Sequence, residues 1–479
     1  MARRRTHVLV TSVIGVLGLA LLALLGLRLL TDSVLRQLTD GTLEGADYWT
    51  SDPRILSAGL GFDGIIGLPD LDEQTVRDAG GSWYGGLRCS DGEDPTDQNR
   101  TSAATTATIE RAYVGGADVD HDDGLPVVFS WPVATETVDP TDFAFTLNTG
   151  ETVFAHAAGM NPNWEDDERN TVVLFGDLGN RLPSADPDAV FPVRLEIVAD
   201  DTPLVLVGPG GREVSAVGLT WTTDSSPYDA GPVLVGAKLN RVGSAPVGEG
   251  GVDLLERAGA MPNDEFALYG GGDFRLRVLT SGGFSPDGVT GLRPDEFEEF
   301  FRLRGRGPGG DTVVLDQVGV DYRLAGGTLR VVGLADLGRR EAEYDDCYQE
   351  DRDNYIDIIL DGDEAAARSI EAVEIPALPG GYRAFYNPGG PGPEPFPGVR
   401  YTAPGPPDVQ PVTLALDDPM RVTRARAANG PAGRILGLAA ATLAVVLAVA
   451  VYWRRGWTRP RPERPPARTD RPPRAPRGA

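Results

Sequence analysis

The sequence predicts a mainly β protein in which two β-rich units lie between two transmembrane helices. Three observations support this prediction. Two long apolar runs, uncharged over residues 8–27 and 435–453, lie near the ends of the 479-residue chain. Between them, short runs rich in Val, Leu, Phe and Trp recur, separated by Pro, Gly, Asp and Asn, as is typical of strands and turns. Two short helical patterns interrupt the strands in the later part of the chain.

The two apolar runs are residues 8–30 and 434–453. Each is long enough to cross a hydrocarbon layer of roughly 30 Å as a helix. Arg3, Arg4 and Arg5 precede the first run, and an arginine-rich tail follows the second. By the positive-inside rule, both termini are predicted to be cytoplasmic and the region between the runs extracytoplasmic. The first run could also be a cleaved signal peptide. We favour an uncleaved signal anchor, because the run is long and no small-residue cleavage site follows it.

The charge of the chain fits this placement. The formal net charge is −26 although both predicted cytoplasmic ends are basic, so the region between the apolar runs is strongly acidic. Such a surface repels nucleic acid and attracts cations or basic partners. The expected partners are therefore the cell membrane, through the two helices, and a protein or glycan outside the cell. Nucleic acid is not expected as a partner.

Cys89 and Cys347 are the only cysteines, and both lie in the predicted extracytoplasmic region. An oxidising compartment favours a disulfide between two such residues. The bridge would tie the start of this region to its last third. Two free, buried thiols are the alternative.

Composition and pattern divide the chain into eight segments. They are a cytoplasmic N-terminus (1–7), the signal-anchor helix (8–30), an N-terminal extracytoplasmic segment (31–103), a β-sandwich (104–245), a β-rich α+β unit (246–385), a Pro/Gly-rich stalk with a last strand (386–433), the second transmembrane helix (434–453) and a disordered basic cytoplasmic tail (454–479).

The β-sandwich prediction rests on seven short strand-like runs that begin with "PVVFSWPV" and end with "PVLVGAKLN". In "VRLEIVA", the apolar residues Val193, Leu195 and Ile197 alternate with charged ones, as in a half-buried strand. The spacing of the runs suits an antiparallel sandwich. The unit is predicted to be immunoglobulin-like in outline only, because the hallmark cysteine pair and its packed tryptophan are absent.

The second unit combines strands with two helices. "RPDEFEEFFRLRG" predicts a helix that begins at Pro294, carries Phe297, Phe300 and Phe301 on one face and ends before Gly305. "VDYRLAGGTLRVVGL" predicts a hairpin, and "NYIDIIL" predicts a strand. "DGDEAAARSIEAV" predicts the start of a second helix.

"NTVVLFGDLGNR", from Asn170 to Arg181, resembles the strand end of metallophosphatases at which an Asp bridges two metal ions. Such a centre also needs histidines to complete its metal shell. The chain has only His7, His121 and His156, and it has no Gly-Asn-His. We therefore interpret the stretch as a strand that ends in a turn.

Two acidic loops are candidate calcium sites. Asp118, Asp120 and Asp122 alternate in "DVDHDDG", as oxygen ligands do in calcium loops. A second set surrounds Cys347, where a disulfide would hold the carboxylates together and a cation would relieve their repulsion. This set is Asp345, Asp346, Glu350, Asp351, Asp353 and Asp357. A third acidic loop, 161–170, is a further candidate. Solvated acidic turns are the alternative for all three.

These features favour a non-enzymatic, membrane-anchored protein whose acidic β units bind a partner or contribute to the cell envelope. Calcium is the only cofactor that the sequence suggests, and no catalytic residue is assigned. The alternative is a surface hydrolase that uses carboxylates on glycans or phosphate esters. A cation-responsive sensor is a third hypothesis. Trp131, Trp164 and Trp221 are interpreted as core or rim residues rather than as a sugar-binding surface.

Overall fold

The computed structural model describes most of the region between the two apolar runs. The described residues are 41–59, 70–78, 83–90, 92, 99–101, 110, 119, 122–161, 163, 165–180, 184–227, 232–242, 272–283, 290–338, 344–348, 350, 354–376 and 407–424. They belong to one unit that ends at Arg426. The predicted N-terminus, both predicted membrane helices and the predicted basic tail lie outside the described residues. Within those residues, no helix has the length and apolar character needed to cross a membrane.

Strands dominate the described residues, so the predicted mainly β class is confirmed. The strands before residue 230 are β1 (Leu43–Asp47), β2 (Ile55–Ala58), β3 (Trp83–Gly85), β4 (Asn99–Thr101), β5 (Asp123–Phe129), β6 (Phe143–Leu147), β7 (Thr152–Phe154), β8 (Ala157–Gly159), β9 (Thr171–Gly176), β10 (Pro192–Ile197), β11 (Val205–Gly208), β12 (Arg212–Ser215) and β13 (Thr220–Thr222). The later strands are β14 (Leu234–Arg241), β15 (Phe274–Thr280), β16 (Arg302–Arg306), β17 (Thr312–Leu315), β18 (Tyr322–Leu324), β19 (Gly327–Ala335), β20 (Tyr355–Gly362), β21 (Ile370–Ile375), β22 (Asp408–Pro411), β23 (Thr413–Leu414) and β24 (Arg421–Arg424). The α-helices are α1 (Glu73–Asp78), α2 (Phe297–Phe300) and α3 (Glu364–Ala367).

Two four-stranded antiparallel sheets form a first sandwich. Their strand orders are β2-β5-β9-β8 and β13-β10-β6-β7. Apolar side chains of both sheets share one core, among them Phe129 and Leu174 from the first sheet and Phe143, Phe145 and Leu195 from the second. Every residue of β5 and of β9 is buried. The sheet that contains β5 and β9 is therefore covered on both faces.

A six-stranded and a four-stranded sheet form a second sandwich. Their strand orders are β18-β19-β20-β15-β14-β23 and β17-β16-β21-β22. The core between them contains Leu276 and Ile358 from the six-stranded sheet, Leu303 and Val373 from the other sheet, and Phe297 from α2. Only one face of the six-stranded sheet contributes to this core, because residues of a strand point alternately to opposite faces.

The two ends of the described region pair with each other. Strands β1 and β24 form an antiparallel two-stranded sheet, here called the ribbon, in which Leu43 lies opposite Arg424 and Asp47 lies opposite Arg421. The Arg424 side chain also donates from Nη1 to the Gly41 carbonyl at 3.1 Å. Apolar side chains of the ribbon, such as Leu43, join the core of the first sandwich. The chain therefore enters and leaves this fold at one place.

Most predicted strands are confirmed, and the boundaries differ where tertiary pairing intervenes. The predicted helix from Pro294 is confined to α2, and the residues after it form β16, which pairs with both β17 and β21. Leu303 is fully buried in the core there, so strand pairing on both sides outweighs helix propensity. "VSAVGLTWTT" was predicted as one strand and forms β12 and β13, because Gly218 adopts a φ of 91° between them.

Two segments lie in different places from those that the sequence patterns suggested. Strand β14 falls inside the predicted sandwich of residues 104–245, but it pairs with β15 in the second sandwich. The predicted stalk of residues 386–433 includes β22, which pairs with β21 and extends the four-stranded sheet. Both pairings join residues that lie more than 30 positions apart in the chain, so no local sequence pattern predicts them.

Candidate functional site

The first predicted calcium loop is represented by Asp122 alone, because Asp118 and Asp120 lie outside the described residues. Asp122 is buried, and its two carboxylate oxygens lie 2.9 and 3.1 Å from Nδ1 of His156. Burial raises the pKa of Asp122 to about 6, with Asp123 and Asp177 adding to the effect and His156 opposing it. This corner of the first sandwich therefore holds a carboxyl group that titrates near pH 6.

The predicted disulfide between Cys89 and Cys347 is confirmed. Their Cα atoms are 5.2 Å apart, and the bridge spans a sequence separation of 258 residues. It attaches the hairpin of β3 and β4 to the loop that follows β19. This is the long-range connection that the two cysteines predicted.

The carboxylates beside the disulfide accept hydrogen bonds from the segment that the bridge attaches. Asp345 accepts the backbone N–H groups of Ser90 and Cys347, and these bonds lower the pKa of Asp345. Asp346 accepts the backbone N–H of Arg88 at 3.2 Å. Glu350 pairs with Arg100 of β4 at 3.3 Å. The acidic loop therefore contributes to the attachment of the hairpin.

Of the remaining predicted ligands, only Asp357 lies among the described residues. Asp351 and Asp353 lie outside the described residues, and Asp357 is buried in the middle of β20, away from the loop. Among the described residues, no set of three or more His, Cys, Asp or Glu side chains is arranged to hold a metal ion. Since four of the nine predicted ligands are not described, calcium binding stays a prediction.

Among the described residues, a dense cluster of buried charge lies on the second face of the six-stranded sheet. Its members come from β1, β14, β15, β20, β24, the end of β19 and the loop before β9, and none of their side chains is more than 6% exposed. We call this cluster the buried ion network; it consists of Asp47, Asp167, Glu168, Lys238, Arg275, Arg277, Asp336, Asp357 and Arg421. It holds five acidic and four basic side chains.

Arg277 is at the centre of the buried ion network. It binds Asp357 with two hydrogen bonds, from Nε at 2.9 Å and from Nη2 at 3.0 Å. The other acidic side chains around its guanidinium group are Asp336 at 2.8 Å, Asp167 and Glu168 at 3.2 Å, and Asp47 at 3.3 Å. Burial acts against the charge of Arg277, but the surrounding carboxylates outweigh it and raise the pKa well above its usual value. One cation thus joins five carboxylates.

Lys238, the only lysine of the chain, lies beside Arg277. Its ammonium group donates to the Asp47 carboxylate and to the carbonyl oxygens of Tyr48 and Met420. Complete burial lowers the pKa of Lys238 to about 8, and Asp47 opposes that change. Burial likewise opposes the ionisation of Asp47, but Lys238, Arg277 and Arg275 hold its pKa below the usual value. Both partners are charged at neutral pH.

Backbone strain coincides with this cluster. Among the described residues, Asp336 and Met420 are the only non-glycine residues with positive φ, at 65° and 53°. Asp336 contributes a carboxylate to Arg277, and Met420 contributes a carbonyl to Lys238. Such conformations persist only where surrounding contacts hold them, and they concentrate at sites with a specific role. This coincidence marks the buried ion network as a site of interest.

Aromatic and amide side chains border the network. Lys238 lies 5.2 Å from the ring centre of Trp49, and Arg277 lies 5.1 Å from that of Tyr355. Next to them, Asn354 accepts a hydrogen bond from Asn163 at 2.8 Å, and the Tyr355 hydroxyl donates to Asn170 at 2.8 Å. These bonds connect the second sandwich with the loop before β9. The interface between the sandwiches is therefore largely polar.

The sequence contains only a partial signal for this interface. "DFRLRVLT" alternates charged and apolar residues, which indicates a strand with one solvated face. Arg275 and Arg277 are nevertheless fully buried. In the third acidic loop, 161–170, which is a candidate metal site from its sequence, Asp167 and Glu168 pair with Arg277. Only the position of Lys238 as a lone lysine inside an apolar strand run hinted at a buried charge.

The chemistry of the network favours positioning over catalysis. Its side chains are shielded from solvent, so a dissolved substrate has no direct access to them.

Of the predicted core or rim tryptophans, Trp131 is fully buried, Trp221 packs against the first core, and Trp164 lies outside the described residues. Comparison of the chain with models of known protein families, with curated proteins and with solved structures finds no match.

Proposed function

We propose that this chain is a non-enzymatic module displayed outside the cell, anchored in the membrane by residues 8–30 and 434–453, that binds a partner or contributes to the envelope. The observation that supports the proposal most is the ribbon, which brings Gly41 and Arg424 side by side. About ten residues separate each of these ends from the adjacent apolar run, and an extended chain of that length reaches roughly 30 Å. Both runs can therefore enter the same membrane.

The disulfide agrees with an extracytoplasmic placement. Stable structural disulfides are typical of oxidising compartments and rare in the bacterial or eukaryotic cytosol. Among the described residues, the two segments that the Cys89–Cys347 bridge joins are also connected by hydrogen bonds and an ion pair. The bridge therefore adds to the case for display outside the cell.

Epitope accessibility tests this proposal. One tag is inserted in the Pro/Gly-rich segment near Gly390, and another follows Ala479, in otherwise identical full-length chains. We expect antibodies to label the internal tag on intact cells and the C-terminal tag only after permeabilisation. Labelling of the C-terminal tag alone on intact cells, or of neither, would remove the proposal.

Calcium is proposed as a stabilising ligand of the loops that contain Asp118 to Asp122 and Asp345 to Asp353. The support is the alternating carboxylates of the first loop and the disulfide that gathers the second. A melting curve in calcium and another in chelator test this. A higher melting temperature in calcium supports the site, and equal temperatures remove it. We also propose that the first sandwich is immunoglobulin-like in outline, and its two facing antiparallel sheets support this.

A surface hydrolase is the second candidate function, and one observation favours it. Burial raises the pKa of Asp122 to about 6, and this carboxyl group pairs with His156, whose side chain is 55% exposed, so a substrate could reach the pair through the imidazole. The test is hydrolysis of model glycosides and phosphate esters by the wild type and by Asp122→Asn. Turnover that the substitution abolishes would establish the hydrolase, and no turnover by the wild type would leave the binding module.

A further inference from the structure

We propose that the buried ion network fixes the relative orientation of the ribbon and the two sandwiches. Three parts of the fold contribute side chains to it. The ribbon supplies Asp47 and Arg421. The loop between β8 and β9 of the first sandwich supplies Asp167 and Glu168. The second sandwich supplies the remaining five residues, with Arg277 at the point where all three parts meet.

Among the described residues, the apolar contact between the sandwiches is small. It consists of one cluster of buried side chains, Trp49, Val128, Leu279 and Tyr355, with the partly buried Leu56 and Val235 packed against it. Each sandwich core, by comparison, contains about two dozen buried apolar residues. Apolar attraction is non-directional, so a small apolar patch permits several arrangements of two rigid bodies. The orientation must therefore be determined mainly by polar contacts.

Arg277 supplies the missing direction. A guanidinium group presents donors in a planar fork, and its two bonds to Asp357 fix the plane of that fork within the sheet. The remaining donors then point toward Asp47 of the ribbon and Asp167 of the first sandwich, at 3.3 and 3.2 Å. A rotation of either part would separate a buried carboxylate from its cation. Such a separation is strongly unfavourable, because neither charge can be solvated.

Backbone hydrogen bonds follow the same arrangement. The N–H groups of Glu44 and Asp47 in the ribbon donate to the carbonyl oxygens of Asp166 and Asp167 at 3.1 and 3.3 Å. The positive φ of Asp336 and of Met420 aims one carboxylate and one carbonyl at the cations. A buried ion cluster is a weak source of net stability, whereas its geometric demands are strict. The network is thus suited to specify one arrangement of the three parts.

Distance measurements between the sandwiches test the proposal. Nitroxide labels are placed through non-natural amino acids at the exposed positions Thr152 in β7 and Thr312 in β17, which leaves the native disulfide intact. The full-length chain is studied in nanodiscs by pulsed electron paramagnetic resonance. We expect one narrow distance distribution for the otherwise unsubstituted chain, and at least a twofold broader one for Arg277→Lys, which keeps the charge but loses the fork.

A second variant keeps the test valid if Arg277→Lys does not fold. Asp167→Asn combined with Glu168→Gln removes the charges that the first sandwich contributes and leaves Arg277 paired within the second sandwich. We expect this variant to fold and to broaden the distribution as well. Arg330→Lys is the matched control, since the ion pair between Arg330 and Asp321 is exposed, and it should leave the distribution unchanged. A distribution as narrow as that of the reference chain in every folded network variant would overturn the proposal.

Discussion

At the scale of single residues, Arg277 is the position where substitution should be most damaging. Arg277→Met keeps much of the side-chain volume but leaves five buried carboxylates without their shared cation. Breaking a buried ion pair from one side costs about 3–5 kcal/mol. We expect a loss of at least that size in the free energy of unfolding, measured by denaturant titration.

The matched control for this prediction is Arg330→Met. Its ion pair with Asp321 has side chains that are 42% and 59% exposed, so the loss should be under ~1 kcal/mol. Equal effects of the two substitutions would show that burial does not set the importance of Arg277.

Lys238 gives the protein a distinctive alkaline pH dependence. Its pKa is about 8 in the folded state and 10.5 in an unfolded chain, so the unfolded state binds more protons between these values. Stability should therefore rise with pH in this window, by about 1–2 kcal/mol between roughly pH 7.5 and 9.5. Denaturant titrations at both pH values measure the rise.

The control here is Lys238→Met, which should show no such rise. No other lysine titrates in this window, because Lys238 is the only one in the chain. Wild-type stability that stays level or falls between these pH values would contradict the account of Lys238.

At the scale of elements, the local sequence pattern predicts a strand correctly where all residues of that strand have the same environment. Strand β9 matches the predicted run "TVVLFG" from end to end, because its six residues are all apolar or small and all buried. The predicted hairpin of β18 and β19 is confirmed, although its turn residues are Ala325 and Gly326, and Gly327 already pairs with Leu324 as the first residue of β19. Helix α2 was overestimated in length, since its pattern continues into residues that pair as β16.

The charged face of β15 shows what local pattern cannot contain. Alternation predicts which residues share a face, but it does not show whether that face meets water or another part of the protein. Arg275 and Arg277 are buried because Asp47 and Asp357, from distant parts of the chain, supply opposite charges. The same limit applies to Asp122, whose partner His156 lies 34 residues away. The candidate site was therefore predicted only in part.

The disulfide should control the hairpin of β3 and β4 more than either sandwich. Apart from the bridge, the described contacts of this hairpin with the second sandwich include Arg100 with Glu350 and two N–H groups bound by Asp345 and Asp346. Replacing both cysteines by serine removes a loop closure that is worth about 2–5 kcal/mol. We expect faster hydrogen exchange at the amides of Trp83 to Gly85 and unchanged protection in β9 and β15.

Exchange in this double variant has a built-in reference. The amides of β9 and β15 lie in separate sandwich cores and report on global stability. Uniformly faster exchange across hairpin and cores alike would show that the bridge stabilises the whole fold instead of one element.

At the scale of the whole molecule, two sandwiches and a ribbon surround a set of charges that are shielded from water. The sequence predicted two β-rich units, but it placed β14 in the first unit, whereas that strand carries Lys238 in the second. Charge composition predicted an acidic surface, but it did not predict that nine charged side chains would be buried between the parts. The ribbon then brings both ends of this assembly to one place, which is the basis for the proposed double anchoring.

Protease treatment of intact cells tests the double anchoring most directly. A protease added outside should cut the full-length chain between residues 377 and 406 and leave a C-terminal fragment that stays with the membrane, detected through a tag after Ala479. If the protein instead stays whole on intact cells and is cut only after lysis, although the same protease cuts the purified chain, the region between the apolar runs faces the cytosol and the account fails.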